Sequence, residues 1–281
     1  MNTLKLIRYE NCHQVFACPV CHEPLSFNDH TLTCKNRHGF DLSKYGYVNL
    51  LLNNQNKNTY DKHSFEHRQL VLENGLYDHV LNEIVAFINN TPRLQTVLDS
   101  GCGEGFYARR IAHLTNADVW AADISKDSIQ LAARSDSDYA VKWFVADVAH
   151  LPVLSNSLDC ILDIFSLANY GEFHRILKKD GMLVKIIPGN EHLKELRMAA
   201  RKHLKQESYS NQQIIAHFEK HFALLERKQL TKQYPVTAEI RDAFIHMTPL
   251  LFHVDKKQID WSSVEYITID AEILFGCSEL I

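Results

Sequence analysis

The stretch VLDSGCGEGFYARRIA, residues 97–112, decides the fold. It joins an apolar strand end to an acidic residue, Asp99, then to a loop with Gly101, Gly103 and Gly105, then to a helix start. Glycine belongs in such a loop because the tight turn uses backbone angles closed to other residues, and because a side chain would collide with a ligand lying across the strand ends. The spacing is GxGxG, not the GxGxxG of dinucleotide sites, and an acid just before it suits a cationic ligand better than a pyrophosphate. Two further acids close predicted strands in order. Asp123 ends DVWAAD (118–123), 22 residues after Gly101, where a carboxylate can take both ribose hydroxyls, and Asp147 ends VKWFVAD (141–147), where it can accept from an adenine amino group. A lone acid at such a place is as readily a helix cap or turn residue; three in sequence point to S-adenosylmethionine (SAM).

Outward from this loop, strand-like and helical runs alternate. TVLD (96–99), DVWAAD, VKWFVAD, CILDIF (160–165) and MLVKIIP (182–188) read as strands, with helices from Phe106, over SKDSIQLAAR and over GEFHRILKK. That alternation predicts an α/β fold with a parallel, doubly wound sheet, a Rossmann-like architecture; taken with the SAM reading of the loop, the expected fold is a class I SAM-dependent methyltransferase domain. Upstream, apolar residues from Leu70 to Ile88 recur at helical spacing, broken at Asn74-Gly75, so two helices are expected. Downstream, a long helix containing EHLKELRMAARKHL and two late strands, FALLERKQL and YITIDAEILFG, complete the pattern.

The N-terminal segment is of another kind. Cys18, Cys21, Cys34 and His38 are spaced CxxC, twelve residues, CxxxH, a pattern whose donors converge on one tetrahedral zinc. Four protein ligands leave no open position, so the metal is expected to be structural, holding a ribbon too poor in large apolar groups to fold alone. Cys12, His13 and His22 lie nearby, but their spacing fits no knuckle. The domain reading is a zinc ribbon over 1–52, a linker and helices over 53–90 beginning with the Asn/Lys-rich NNQNKNTYDKH (53–63), and the methyltransferase domain over 91–281.

Composition bounds the function. The chain has 281 residues, 46% of them hydrophobic, enough for a large core. It shows neither a run of eighteen apolar residues nor a secretory signal, so a soluble cytoplasmic protein with no membrane partner is expected. Seven cysteines, an odd number, argue against a disulfide framework. Residues 1–72 carry eight Lys/Arg against six Asp/Glu while the remainder carries 22 against 28, so the small basic surplus sits with the cysteines. It is too small to establish a nucleic-acid partner.

The stretch FACPVCHEPLSFNDHTLTCKNRHGFDLSKYGYVNLL, followed by VLDSGCGEGFY, resembles the RlmA family of zinc-containing 23S rRNA (guanine-N1)-methyltransferases. The resemblance covers nearly the whole chain. It implies zinc on Cys18, Cys21, Cys34 and His38, and cofactor contacts at Tyr77, Gly103, Glu104 and His192, in addition to the Gly101, Asp123 and Asp147 read above. Tyr77 and His192 rest on the resemblance alone. DIFSLANYGEFHRIL and MTPLLFHVDKKQIDW are similar to the Gram-positive branch, which implies a guanine in the hairpin-35 loop of 23S rRNA as target and an influence on tylosin-type macrolides. Related enzymes point to a homodimer. Leu167 stands where that branch usually has proline, and Ser100 where isoleucine is common.

Guanine N1 must lose a proton, and Asp159, Asp163 and Glu104 are the acids nearest the chemistry; each has a structural or cofactor role to fill, so no catalytic base is assigned. Asn169 and Tyr170 follow the fourth strand and are candidates to contact the target base. Lys35, Arg37 and Lys44 of the ribbon are candidates to grip the RNA backbone. Two rival readings are a small-molecule SAM-dependent methyltransferase, which would rarely carry a zinc ribbon, and a non-enzymatic zinc module that senses SAM.

Overall fold

A computed structural model describes residues 4–52, 62–204 and 210–278. Most of the stretch expected as a linker, residues 53–61, lies outside the described residues.

The chain opens with a short helix, α1 (Leu4–Ile7), and then a small antiparallel sheet of β1 (Ser26–Asn28), β2 (Thr31–Thr33) and β3 (Gly39–Asp41), in which Leu32 faces both Phe27 and Phe40. β4 (Tyr47–Asn49) follows, then α2 (Lys62–Glu73) and α3 (Asp78–Asn89). The alternating core comprises β5 (Thr96–Ser100), α4 (Phe106–Leu114), β6 (Asp118–Asp123), α5 (Lys126–Ser135), β7 (Lys142–Val145), β8 (Leu158–Ile164), α6 (Tyr170–Ile176) and β9 (Leu177–Pro188). α7 (Lys194–Ala200), α8 (Gln212–Glu219), β10 (Ala223–Pro235), α9 (Ala238–Met247) and β11 (Tyr266–Cys277) finish the chain.

Eight strands make one sheet in the order β10-β11-β9-β8-β5-β6-β7-β4. The pairs from β4 to β9 are parallel, and β11 lies antiparallel to both β9 and β10. From β5 the chain winds outward through β6 and β7, then returns to β8 on the other side of β5. This reversal is the topological switch point of a doubly wound sheet, where crossovers go to opposite faces and a crevice opens beyond the strand ends.

Strand residues alternate between two cores. Val97, Val119, Cys160 and Val184 face α2, α3, α4 and α9, while Leu98, Trp120, Ile161 and Leu183 face the ribbon, α6 and α8. The parallel strands β5 to β8 are buried on both faces, as a covered parallel sheet requires, while the antiparallel edge strand β10 is largely exposed.

The structure differs from the sequence reading in three places. The helix expected over 191–204 is only seven residues long, because Leu193 enters it in a left-handed conformation and turns follow Ala200. The helix over GEFHRILKK ends at Ile176, and Leu177–Lys179 already belong to β9. The boundary drawn at residue 52 falls after β4, which pairs in parallel with β7 and so extends the large sheet. Further bonds tie the N-terminal segment down. The Tyr9 hydroxyl donates to the carbonyl of Trp143 at 3.0 Å, and Arg8 pairs with the buried carboxylate of Asp136 at 2.9 Å. Phe16 meets Trp120 and Phe144 edge-on, with ring centroids 4.8 and 5.0 Å apart.

Candidate functional site

At the ribbon, the Cys18 and Cys34 sulfurs each lie 3.5 Å from His38 Nδ1, and the Cys21 and Cys34 sulfurs lie 3.6 Å apart. All four donor atoms fall within 4.8 Å of one another. A tetrahedral zinc with Zn–S near 2.3 Å and Zn–N near 2.0 Å requires S···S and S···N separations of about 3.8 and about 3.5 Å. The four residues therefore fit zinc. Two tight turns present them: the His22 amide donates to the Cys18 carbonyl at 2.8 Å, and the Arg37 amide to the Cys34 carbonyl at 2.9 Å. His22 and Arg37 take left-handed angles in these turns. Cys12 lies outside the group, with its sulfur against the Leu25 carbonyl. Four protein donors make the metal structural.

The crevice beyond β5 and β8 holds two neighbouring cavities. The first, of about 960 Å³, is lined by Ser100, Gly101, Gly103, Asp123 and Asp147, and on its far wall by Phe165 to Ala168. All three loop glycines have positive φ, and a Cβ at Gly101 would come within 2.0 Å of the Ser166 hydroxyl. At Gly105 it would meet the Trp143 ring at 2.4 Å. At these two glycines, then, the atoms excluding a side chain belong to the protein itself. Asp123 accepts from the Gly103 amide at 2.9 Å through one oxygen and from the Ser125 amide at 2.8 Å through the other. Its carboxylate is thereby fixed at the cavity wall with lone pairs to spare. Asp147 accepts from the Ala149 amide at 2.9 Å, in the turn after β7.

Behind the loop, Asp99 lines neither cavity, while Ser100 lines the first; the buried Asp99 Oδ2 and Ser100 Oγ each have no hydrogen-bond partner among the described residues. Burial pushes the Asp99 carboxyl up to about 8, with Glu104, Asp123 and Asp163 adding to the shift and Arg68 opposing it. A buried acid with an open oxygen is what a cationic ligand would satisfy.

The second cavity, of about 720 Å³, contains Tyr77, Tyr107 and His192. Tyr77 precedes α3 and stands with Phe165 and His192 in one aromatic group, centroids 5.7 to 6.2 Å apart. Desolvation pushes His192 down to about 4, so its ring is neutral at pH 7. Its Nδ1 accepts from the Asp270 amide at 3.3 Å, which leaves Nε2–H as the donor. Glu104 lines neither cavity; it is buried, 3.0 Å from the Arg68 guanidinium.

Arg68 and Phe165 border both cavities, and neither follows from spacing or composition. The only local sign is conformational. Phe165 sits at φ 51°, a strained left-handed angle at the end of β8.

The remaining candidates have structural work. Asp159 accepts from the Gln95 and Thr96 amides at the far end of β8, and Asp163 is buried against Lys185 at 2.6 Å. Asn169 caps α6 through its side-chain oxygen, 3.2 Å from the Glu172 amide. Tyr170 borders the first cavity but is only 5% exposed, its ring packed among Phe218, Phe222, His217 and His221. A base cannot stack on a ring held in this way. In the ribbon, Lys35 pairs with Glu23 and Lys44 lies over the Tyr45 ring.

Comparison with known proteins fits this architecture. Residues 16–59 match the family described as RlmA, N-terminal, and residues 97–181 match a methyltransferase domain. The chain is 34% identical to a putative 23S rRNA (guanine-N(1)-)-methyltransferase of Bacillus subtilis, covering 93% of this chain and 96% of the relative. It is 26% identical to the 23S rRNA (guanine(748)-N(1))-methyltransferase of Streptomyces fradiae, over 89% of this chain and 90% of that one. A solved structure described by the conversion of a disulfide bond into a thioacetal group during echinomycin biosynthesis shares the fold, with TM-score 0.50, 15% identity, and coverage of 70% and 82%. With a Cys3His ribbon docked on a SAM-type sheet, and a relative this similar over almost its whole length, the chain belongs to the RlmA family of zinc-containing 23S rRNA (guanine-N1)-methyltransferases.

Proposed function

We propose that the protein methylates N1 of a guanine in the hairpin-35 loop of 23S rRNA, and that this mark bears on susceptibility to tylosin-type macrolides. The observation that carries the reading is the union, in one chain, of the Cys3His ribbon with the glycine-loop cleft; the Streptomyces fradiae relative, named for guanine 748, makes that nucleotide the first to examine.

SAM supplies a methyl group on a positively charged sulfur, and displacement in line leaves the protein chiefly a task of positioning. In this reading Asp123 takes the ribose hydroxyls and Asp147 the adenine amino group. Gly101 and Gly103 give the ligand the backbone of the loop. Asp99, buried in β5 just before the loop, would offer its open oxygen to the ligand's positive charge. Tyr77 and His192 stand on the side of the crevice where the amino-acid end would lie, with the His192 Nε2–H available to a carboxylate. Glu104 holds Arg68 at the boundary of the two cavities. An extruded base is easiest to present from a single-stranded loop, which suits a hairpin target.

The test is methyl transfer from radiolabelled SAM to a 23S rRNA transcript, followed by nucleoside analysis. The label should appear as 1-methylguanosine and vanish from a transcript lacking hairpin 35. Label in any other nucleoside, or transfer to a small molecule alone, overturns the proposal.

A further inference from the structure

The 720 Å³ cavity has more wall than a cofactor tail requires, and its walls are of three kinds. Tyr77, Tyr107 and Phe165 form an aromatic side. Met247, Pro249 and Leu250 add an apolar part of the lining. Lys194, Arg197 and Arg201, spaced to share one side of α7 and the turn after it, form a cationic rim. Inside, the Tyr107 hydroxyl is buried and has no hydrogen-bond partner among the described residues, although Tyr107 is only 3% exposed. The Arg197 Nε is likewise buried and unpartnered, while another of its nitrogens donates to the Asn190 carbonyl.

Resting on the function proposed above, we infer that this cavity receives the extruded guanine, with the Tyr107 hydroxyl meeting its hydrogen-bonding edge and the α7 cations meeting the flanking phosphates. Three features support this assignment. The cavity shares Arg68, Phe165 and Pro188 with the cleft that holds the glycine loop, so a base within it lies beside a ligand in that cleft. A purine needs flat aromatic and apolar surfaces plus a few placed polar groups, and a buried hydroxyl left unsatisfied costs stability unless a ligand completes it. Burial and the neighbouring Tyr77 raise the Tyr107 phenol well above its ordinary range, which keeps it neutral and able both to donate and to accept. Guanine presents an acceptor at O6 and donors at N1 and N2 along that edge. The rim supplies the sequence-independent charge that a flipped nucleotide's backbone needs.

Full-length Tyr107→Phe, Met247→Trp and Arg201→Ala variants test the assignment, each assayed for S-adenosylhomocysteine binding by calorimetry and for methylation of a 23S rRNA transcript. Tyr107→Phe removes one oxygen and should lower kcat/KM for RNA about tenfold or more. Met247→Trp fills the cavity and should lower it further. Tyr107→Phe should bind S-adenosylhomocysteine within about twofold of wild type, which also shows that it folds; Met247→Trp, which narrows the cavity that also takes the amino-acid end, should lose far more methylation than S-adenosylhomocysteine binding. Arg201→Ala should weaken RNA binding several-fold and reduce the salt slope of log K by about one. Loss of S-adenosylhomocysteine binding in Tyr107→Phe to the same degree as methylation would make the cavity a site for the cofactor alone and overturn the inference. Wild-type RNA methylation by Tyr107→Phe and Met247→Trp would overturn it too. Failure of the wild-type protein to methylate the transcript is a separate result, and overturns the guanine-N1 reading on which this one rests.

Discussion

Asp99 carries the most informative chemistry at the scale of a single residue. Its carboxyl is buried, has an open oxygen and is pushed up to about 8, against an ordinary value near 3.8. Between those values the folded, ligand-free protein binds a proton that the unfolded chain does not, so this group makes stability fall as pH rises from about 4 to about 8. Thermal melts of the ligand-free protein should show that decline, and Asp99→Asn should flatten it. A cationic ligand favours the ionised carboxylate, so SAM binding should release a proton at pH 7 and tighten between pH 6 and 8. Calorimetry in buffers of different ionisation enthalpy reads that proton, and an unchanged heat across buffers would contradict the account. Gly101 gives a second residue-scale prediction. At φ 77°, with Ser166 where a Cβ would go, Gly101→Ala should cost at least about 1–2 kcal/mol and abolish S-adenosylhomocysteine binding.

Among the elements, the ribbon and the sheet depend on each other. Phe16 is fully buried against Trp120 and Phe144, and β4 closes the edge of the sheet beside β7. Phe16→Ala should destabilise the protein by about 3–5 kcal/mol, measured by denaturant unfolding. Because metal binding is folding free energy for such a module, a strong chelator should release one zinc per chain and lower the melting temperature of the whole protein. A ribbon that melted alone, leaving the larger transition unmoved, would show that β4 and Phe16 transmit nothing.

The same elements show what the sequence could reveal. Strands β5, β6 and β8 were legible because each is an apolar run ending in a turn signal, and the glycine loop because its backbone angles demand glycine. The cysteine spacing gave the metal group, because a knuckle fixes geometry locally. β4 was hidden: YVN is three residues long, and its partner β7 lies about a hundred residues away. The seven-residue length of α7 was hidden as well, since EHLKELRMAARKHL has helical periodicity throughout and only the left-handed Leu193 marks the start. Arg68 and Phe165 needed the fold itself, because they reach the crevice from α2 and from the end of β8, about a hundred residues apart in sequence. Tyr170 reads from the sequence as a candidate to contact the target base, and its ring is packed into the α6–α8 core.

At the scale of the whole molecule, the two cavities lie side by side over the switch point of the sheet, and Arg68 and Phe165 stand between them. A methyl donor in one and an acceptor in the other would meet at that boundary, which is the arrangement a transfer enzyme needs. The zinc ribbon packs on the ribbon-side core of the sheet, while Tyr77 and the wall from Met247 to Leu250 belong to the other side. The central claim is that this arrangement modifies a guanine at N1, and a methyl group there blocks Watson–Crick pairing. Reverse transcription across hairpin 35, on 23S rRNA from cells with and without the protein, reads that directly. The account predicts a stop one nucleotide before the guanine in RNA from cells with the protein, and read-through from cells lacking it; read-through in both would contradict it.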